Sequence, residues 1–439
     1  MKRDLAGKMT SVLPPKIVRL IALIGEKARD GGSRAYLTGG FVRDLVMGRA
    51  NKDVDIMVER DAIGFAEQMA CVLNASIAVY PRFGTATLFL PPIGSRGTGG
   101  LRVDLTTARR ETYKKPAVLP DVAEGDIKDD LFRRDFTINA MAVSISPGEF
   151  GALVDPYGGE RDIGKKIIRV LHPGSFIDDP TRIFRAVRFE QRLGFKIETG
   201  TKRLIRTAVR EKMFDKISGE RLRNELVAVM NEKYPERCFS RMSQLDEIRF
   251  ISPGMKLVPD CARVAGQIRK DHAWYAVAFP EEDHPGLWIA YLMLFMSGLT
   301  SRAAERALKR LIFSKDVTAK VMAQKSVPRK EIELLGSGRL TAAGIYDILK
   351  PLPVEAVLFL YSSAGGTQAR KYIRAYLRKY RYVVTETDGN ALHELGVRPG
   401  PFMGKLLREI LRRKLEGKAP TKERELGLVR DILSGRERI

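Results

Sequence analysis

The chain reads as an α+β protein, a small mixed β-sheet with helices followed by a long all-α remainder, and three observations predict this. Short β-rich pieces ("AYLTGG", "DVDIMV", "IAVY", "TATLFLP" and "RVDLTT") crowd into residues 31–107, separated by turn residues. From about residue 163 the strand signals fade into amphipathic, arginine-rich segments such as "DDPTRIFRAVRFEQRLG", "TGTKRLIRTAVREKM" and "SGERLRNELVAVMNE". The 439 residues, 44% hydrophobic and 29% charged, are enough for several cores. At roughly 150 residues each, about three domains are the starting expectation.

In chain order, "KIVRLIALIGEKARD" has apolar residues at helical spacing, so residues 1–30 are read as a leading helix. Residues 31–162 are the α/β region, with one helical segment, "AIGFAEQMACVLNA", among its strands. Residues 163–232 and 233–439 both read as helical, the latter broken by Pro and Gly. No short-period repeat or low-complexity tract interrupts them.

A formal net charge of +23 attracts polyanions, nucleic acid ahead of anionic membrane, although a merely basic surface gives the same number. No apolar run reaches the ~18 residues a membrane span needs. "MKRDLAGKMTSVLPPK" lacks the apolar centre of a secretory signal. Cys71, Cys238 and Cys261 have no CxxC spacing, which argues against zinc and a disulfide framework. A cytoplasmic location and no membrane partner are expected.

The chemistry concentrates in "YLTGGFVRDLVMGRANKDVDIMV". On a strand, residues i and i+2 share a face, so Asp53 and Asp55 converge while Val54 and Ile56 face the core. Two like charges that close repel unless a cation lies between them, and carboxylate oxygens suit Mg²⁺. Asp104 in "LRVDLTTAR" ends another strand and is a weaker third ligand. Gly39 and Gly40 form a turn between strand and helix, where backbone N–H groups approach a phosphate, with Arg43 adding charge one turn on. A phosphate cradle followed by a metal-binding DxD describes a nucleotidyl-transfer site. Taken separately, the glycines are also a plain tight turn and the DxD a solvent-facing strand edge.

These residues resemble the head motif of class II tRNA nucleotidyltransferases and bacterial poly(A) polymerases, in the polymerase-β-like superfamily. Further stretches are similar in the same order: "RRDFTINAMA", "DDPTRIFRAVRF", "SGERLRNELVAVM" and "LHELGVRPGPFMGKLLREIL". The resemblance implies a nucleotidyltransferase head (31–162), a base-recognising neck (163–232) and a helical body and tail that bind tRNA (233–439). It implies that Asp53 and Asp55, with Asp104, carry catalysis with Mg²⁺, and that Gly39, Gly40, Arg43 and "RRD" (Arg133, Arg134, Asp135) bind nucleotide. Which arginine of "RRD" touches the nucleotide stays open. Asp179 and Arg182, three apart on a helix, would read the base of ATP or CTP, with Arg185 and Arg188 facing the nucleotide. Asp179 before Pro180 also reads as a plain N-cap.

The expected partners are ATP, CTP and the acceptor stem and 3′ end of tRNA. "ARKYIRAYLRKYRY" spaces Arg370, Arg374 and Arg378 four apart, with Tyr372, Tyr376 and Tyr380 on another stripe. The arginines are candidates for RNA phosphates, the tyrosines for packing inward. A full loop between Asp104 and Arg133 favours competence for the terminal A, as the family is understood. Full CCA addition, A addition alone and polyadenylation all stay open. So do two other classes, a small-molecule nucleotidyltransferase and an inert RNA-binding protein; the long basic body argues against the first, the intact Asp53 and Asp55 against the second.

Overall fold

The computed structural model describes residues 3–51, 53–91, 100–118 and 120–437. It divides into two compact units, Met1–Glu225 with Gln244–Phe250, and Leu226–Ser243 with Ile251–Ile439. The first is built on strands β1 (Ala35–Thr38), β2 (Val54–Val58), β3 (Ser76–Tyr80), β4 (Thr85–Phe89), β5 (Arg102–Thr107), β8 (Ala142–Ser144) and β9 (Leu153–Val154), in the spatial order β3-β4-β5-β2-β1-β8-β9. The β2–β5 pair is parallel and its neighbours are antiparallel, so the sheet is mixed as expected. Strands β6 (Arg109–Thr112) and β7 (Asp121–Glu124) form a separate ribbon. Among its described residues the second unit holds helices and no strand.

Strand periodicity explains how the sheet carries a site. Ala35 and Leu37 of β1, Val54, Ile56 and Val58 of β2, and Val103 and Leu105 of β5 share one core with the helices Pro15–Asp30, Gly39–Val46 and Ala62–Leu73. The alternate residues Tyr36 and Met57 pack in a separate cluster with Ala108, Leu131, Ala140 and Ala142. Asp55 and Asp104 have the parity of Met57, so they fall on the face opposite the main core.

Three expectations are corrected. The leading helix is two, Ala6–Val12 and Pro15–Asp30, because Leu13 and Pro14 each precede a proline and are pushed to extended backbone. β2 begins at Val54, so Asp53 precedes the strand instead of lying on it. The loop between Asp104 and Arg133 contains the β6–β7 ribbon and a helix, Ile127–Phe132, started by an Asp126/Asp129 capping box.

In the second unit Tyr275, Leu358, Tyr361, Ile373, Tyr376 and Leu377 build one core, and Leu392, Val397, Leu406, Ile410 and Val429 another. The most apolar helix, Leu287–Met296, has 10 residues. Among the described residues no helix is long and apolar enough to cross a membrane.

Candidate active site

A cleft of about 790 Å³ in the first unit gathers nearly every site residue expected from the sequence. Gly39, Gly40, Arg43, Asp53, Asp55, Arg133, Arg134, Asp135, Asp179, Arg182, Arg185 and Arg188 all line it. Asp104 does not. It pairs opposite Asp55 in the β2–β5 register, and its Oδ1 accepts hydrogen bonds from Thr87 Oγ1 at 2.6 Å and Arg102 Nε at 3.0 Å.

Asp53 is exposed and Asp55 half-buried, and neither carboxylate accepts a hydrogen bond or forms an ion pair among the described residues. The Asp53 N–H is fixed by Asn51 Oδ1 at 2.9 Å. Burial, reinforced by the charges of Asp104 and Asp53 against the opposing pull of Arg134, pushes the Asp55 carboxyl up to about 6. Two neighbouring carboxylates with unused lone pairs and mutual repulsion suit a hard divalent cation. Among the described residues no group of three or more acidic, His or Cys side chains is arranged to hold a metal, so the fit rests on the Asp53–Asp55 pair.

The glycine turn has a steric reason. Gly39 has φ +68°, and a Cβ there would stand 2.8 Å from Arg134 Nη1 and 3.8 Å from Asp55 Oδ2. Only glycine combines that backbone with that approach. Arg43 is buried and fully engaged: Nε and Nη2 chelate Asp44 at 2.9 and 3.0 Å, and Nη1 donates to Asn139 Oδ1 at 2.9 Å. Asn51 Nδ2 holds the same Asp44 at 2.9 Å.

One buried carboxylate, Asp130, serves both arginines of "RRD". Its Oδ1 accepts Arg133 Nε and Nη2 at 2.9 and 2.6 Å, and its Oδ2 accepts Arg134 Nε and Nη2 at 3.2 and 2.7 Å. Burial alone pushes the Asp130 carboxyl up, but the Arg134 and Arg133 guanidiniums outweigh it and leave it below its ordinary value. Asp135 is likewise buried and lowered, accepting from Asn139 Nδ2 at 2.9 Å and Arg185 Nε at 2.8 Å.

Asp179 is corrected in place. It stands in extended backbone (φ −140°) before the Arg182–Leu193 helix, so the i,i+3 helical pairing with Arg182 does not occur. Its Oδ1 accepts Thr181 N at 3.0 Å, Thr181 Oγ1 at 2.6 Å and Arg221 Nη2 at 2.8 Å, which is turn chemistry close to the capping reading. Arg182 donates from Nη1 to Ser175 Oγ at 2.8 Å and from Nη2 to the Arg133 carbonyl at 2.7 Å. Arg188 reaches Glu225 at 3.4 Å.

Sequence reasoning missed several lining residues: Asp44, Asn51, Glu111, Tyr113, Asn139, Phe189 and Arg192. It also missed Asp130 behind them, although carboxylate-to-arginine spacings of three and four in "DDLFRRD" carried the signal. Glu111 and Tyr113 carry none, because the ribbon that brings them is half or fully exposed and has no apolar stripe. Burial pushes the Tyr113 phenol up to about 12, and its hydroxyl donates to Glu111 at 3.1 Å.

In the second unit, Arg370 chelates Asp271 at 2.7 and 3.0 Å, so this arginine is structurally committed. Arg374 and Arg378 are exposed and lie 5.1 and 5.8 Å over the Trp274 ring. Tyr376 is buried and Tyr372 and Tyr380 are half-buried, the inward packing that the stripe suggested.

The family model of the poly A polymerase head domain matches residues 35–169, and that of a probable RNA- and SrmB-binding site of polymerase A matches 194–257. A solved CCA-adding enzyme in an apo form is 35% identical with a TM-score of 0.84, over 97% of this chain and 98% of that one. The chain belongs to the tRNA nucleotidyltransferase family. Another solved member, the Thermotoga maritima CCA-adding enzyme complexed with tRNA, is 33% identical with a TM-score of 0.76, over 99% of both chains. The A-adding tRNA nucleotidyltransferase of Geobacter sulfurreducens is 35% identical over 97% of this chain, which spans only 48% of that relative's length. Such a tRNA nucleotidyltransferase fold places its helix N-terminus, carboxylate pair and arginines around one cleft here.

Proposed function

We propose that this chain extends the 3′ end of tRNA without a nucleic-acid template, adding the terminal A from ATP and, in the fuller reading, CC from CTP before it. The observation that carries the proposal is the convergence in one cleft of the Gly39–Gly40 turn, the Asp53–Asp55 pair and the arginine–carboxylate wall. The similar CCA-adding and A-adding enzymes give the RNA its identity. On this reading residues 31–162 are the catalytic head, 163–232 the neck, and 233–439 the RNA-binding body and tail.

The RNA 3′-hydroxyl attacks the α-phosphorus of the bound nucleotide in line, forming the new P–O bond as the bond to pyrophosphate breaks. Asp53 and Asp55 would hold Mg²⁺, which when bound lowers the hydroxyl pKa and offsets triphosphate charge. Asp104 supports this pair by its charge behind Asp55. Gly39 and Gly40 expose backbone N–H groups at a helix N-terminus to the triphosphate. Arg43, held by Asp44 and Asn139, stiffens the wall beneath. Asp179 offers its second carboxylate oxygen and Arg182 its Nε to the base edge, while Arg185 and Arg188 flank the nucleotide. Asp135 fixes Arg185. The field of a +23 chain gathers tRNA, with exposed Arg374 and Arg378 against acceptor-stem phosphates, read by shape in the cytoplasm.

The A-only reading is favoured by the name of the Geobacter relative, the CCA reading by the solved structures. Three tRNA transcripts, one lacking CCA, one ending in C and one in CC, separate them when each is given CTP, ATP or both. Completion of all three marks CCA addition. Extension of the CC-ending transcript alone, by one A, marks A addition. Long A tails on any RNA would overturn both in favour of polyadenylation, and no incorporation would overturn the proposal.

A further inference from the structure

The sheet face that carries Asp55 is treated differently on its two halves. Over β1, β2 and β8, Tyr36, Met57 and Ala142 are buried in one cluster with Ala140 and with Leu131 of the Ile127–Phe132 helix. Over β3, β4 and β5 the same face shows Tyr80 50% exposed, Phe89 45% exposed and the Arg102 side chain 58% exposed.

The strand register puts these three residues on that face. Asp55 lies opposite Asp104, Asp104 opposite Thr87, and Thr87 opposite Ala78, one row across four strands. Residues two apart on a strand share a face, so Arg102 and Phe89 belong to the next row on one side. Tyr80, opposite Thr85, belongs to the next row on the other. The alternate residues Ile77, Val79, Ala86, Leu88, Val103 and Leu105 turn to the main core. Two rings therefore flank a row of small residues that runs into Asp55. Arg102 meets the charge of that row, its Nε and Nη2 reaching Asp104 at 3.0 and 2.8 Å. One exposed ring is ordinary on a protein surface. Two rings with a half-exposed guanidinium beside one of them form a surface that stacks bases and attracts phosphates.

Topology gives this surface its direction. The Gly39–Gly40 turn follows β1, on one side of β2, whereas β5, β4 and β3 lie on the other. A nucleotide held at the turn leaves the β5 side for the RNA whose 3′-hydroxyl attacks it. We infer that the unpaired 3′ segment of the RNA leaves the reaction centre over β5, β4 and β3. Its bases stack on Phe89 and Tyr80, and its phosphates pass Arg102. At about 4.8 Å between strands, β3 lies about 14 Å from β2. Three to four stacked nucleotides, at about 3.4 Å each, span that distance. This deepens the proposed extension of tRNA and rests on it.

The test is photocrosslinking of CC-ending tRNA transcripts that carry a 5-iodopyrimidine second, third or fourth from the 3′ end. Each is irradiated on the full chain, and the attached peptide is identified by mass spectrometry. Attachment at Tyr80 or Phe89 is expected from at least one position. Tyr80→Leu and Phe89→Leu keep the apolar bulk and remove the ring. Each should lose its own crosslink and raise the KM for tRNA about 5-fold or more, with the KM for ATP within about 2-fold. Tyr80→Phe and Phe89→Tyr, which keep the ring, should stay near wild type. If a leucine variant fails to fold, the wild-type crosslink map still decides.

Crosslinks confined to residues outside this face, an unchanged KM for tRNA in both leucine variants, or a raised KM for ATP in its place would overturn the path. The proposed function would stand if the wild type still extended the transcript. A wild-type chain that neither binds nor extends the transcript would overturn both.

Discussion

Arginines in the two units are held in contrasting ways. In the cleft of the first unit Arg133, Arg134 and Arg185 lean on the buried carboxylates Asp130 and Asp135, which fix planar forks at chosen angles. On the Thr367–Arg378 helix of the second unit, Arg370 alone chelates a buried carboxylate, while the exposed residues Arg374 and Arg378 lie over the Trp274 ring, Arg374 also donating from Nε to the Tyr361 hydroxyl at 3.0 Å. A chelated guanidinium is placed for one small anion in one position. A stacked, exposed one keeps its charge in water and adapts to a polyanion's backbone. On the proposed function the contrast separates nucleotide chemistry from RNA attraction, and it can be broken at several points.

The largest stability effect is expected at Asp130. Asp130→Asn leaves two arginines facing each other without their shared charge, and should cost about 2–4 kcal/mol of stability, read by denaturant titration. A loss under about 0.5 kcal/mol, the scale of an ordinary surface change, would mean that Asp130 organises nothing. A similar loss is expected at low pH in the second unit. Burial pushes His272, beside Asp271, down to about 4 from 6.5, and among the described residues its Nε2 has no hydrogen-bond partner. The unfolded chain therefore takes up the proton first, and stability drains as pH falls from 6.5 toward 4, by up to about 3 kcal/mol. His272→Gln should flatten that slope; an unchanged slope would place the titration elsewhere.

The smallest effects sharpen the contrast within one helix. Arg378→Ala should reduce the salt dependence of tRNA binding by about one counterion with little change in stability, and Arg374→Ala should reduce it equally while also losing the hydrogen bond to Tyr361. Arg370→Ala should do the reverse, destabilising the fold through Asp271 with the salt slope unchanged. Equal behaviour of the three would remove the distinction.

Much of this was readable from residue types and spacing. Val54, Ile56, Val103 and Leu105 alternate with Asp55 and Asp104, so both the sheet and the face of its carboxylates follow from period two. The Gly39–Gly40 turn and the arginine-rich helices were legible for similar local reasons. What stayed hidden depends on distance along the chain. Asn139 meets Arg43 across 96 residues, and Arg221 meets Asp179 across 42, so no local pattern announces either. The ribbon that delivers Glu111 and Tyr113 reads as loop because "ARRETYKKPAVLP" lacks an apolar stripe, and both ribbon strands are half or fully exposed. Asp179 shows a further limit. Its spacing from Arg182 suggested a shared helix, and the proline after it keeps it in extended backbone instead.

The most direct test of the account is single-turnover incorporation of labelled ATP into a CC-ending tRNA by the wild-type chain and by Asp55→Ala, with tRNA binding measured in parallel. The account expects one A added by the wild type, at least about a 1,000-fold slower reaction in Asp55→Ala, and tRNA affinity within about threefold. Near-normal turnover by Asp55→Ala would contradict it, because the chemistry would then lie outside the cleft that Asp55 lines.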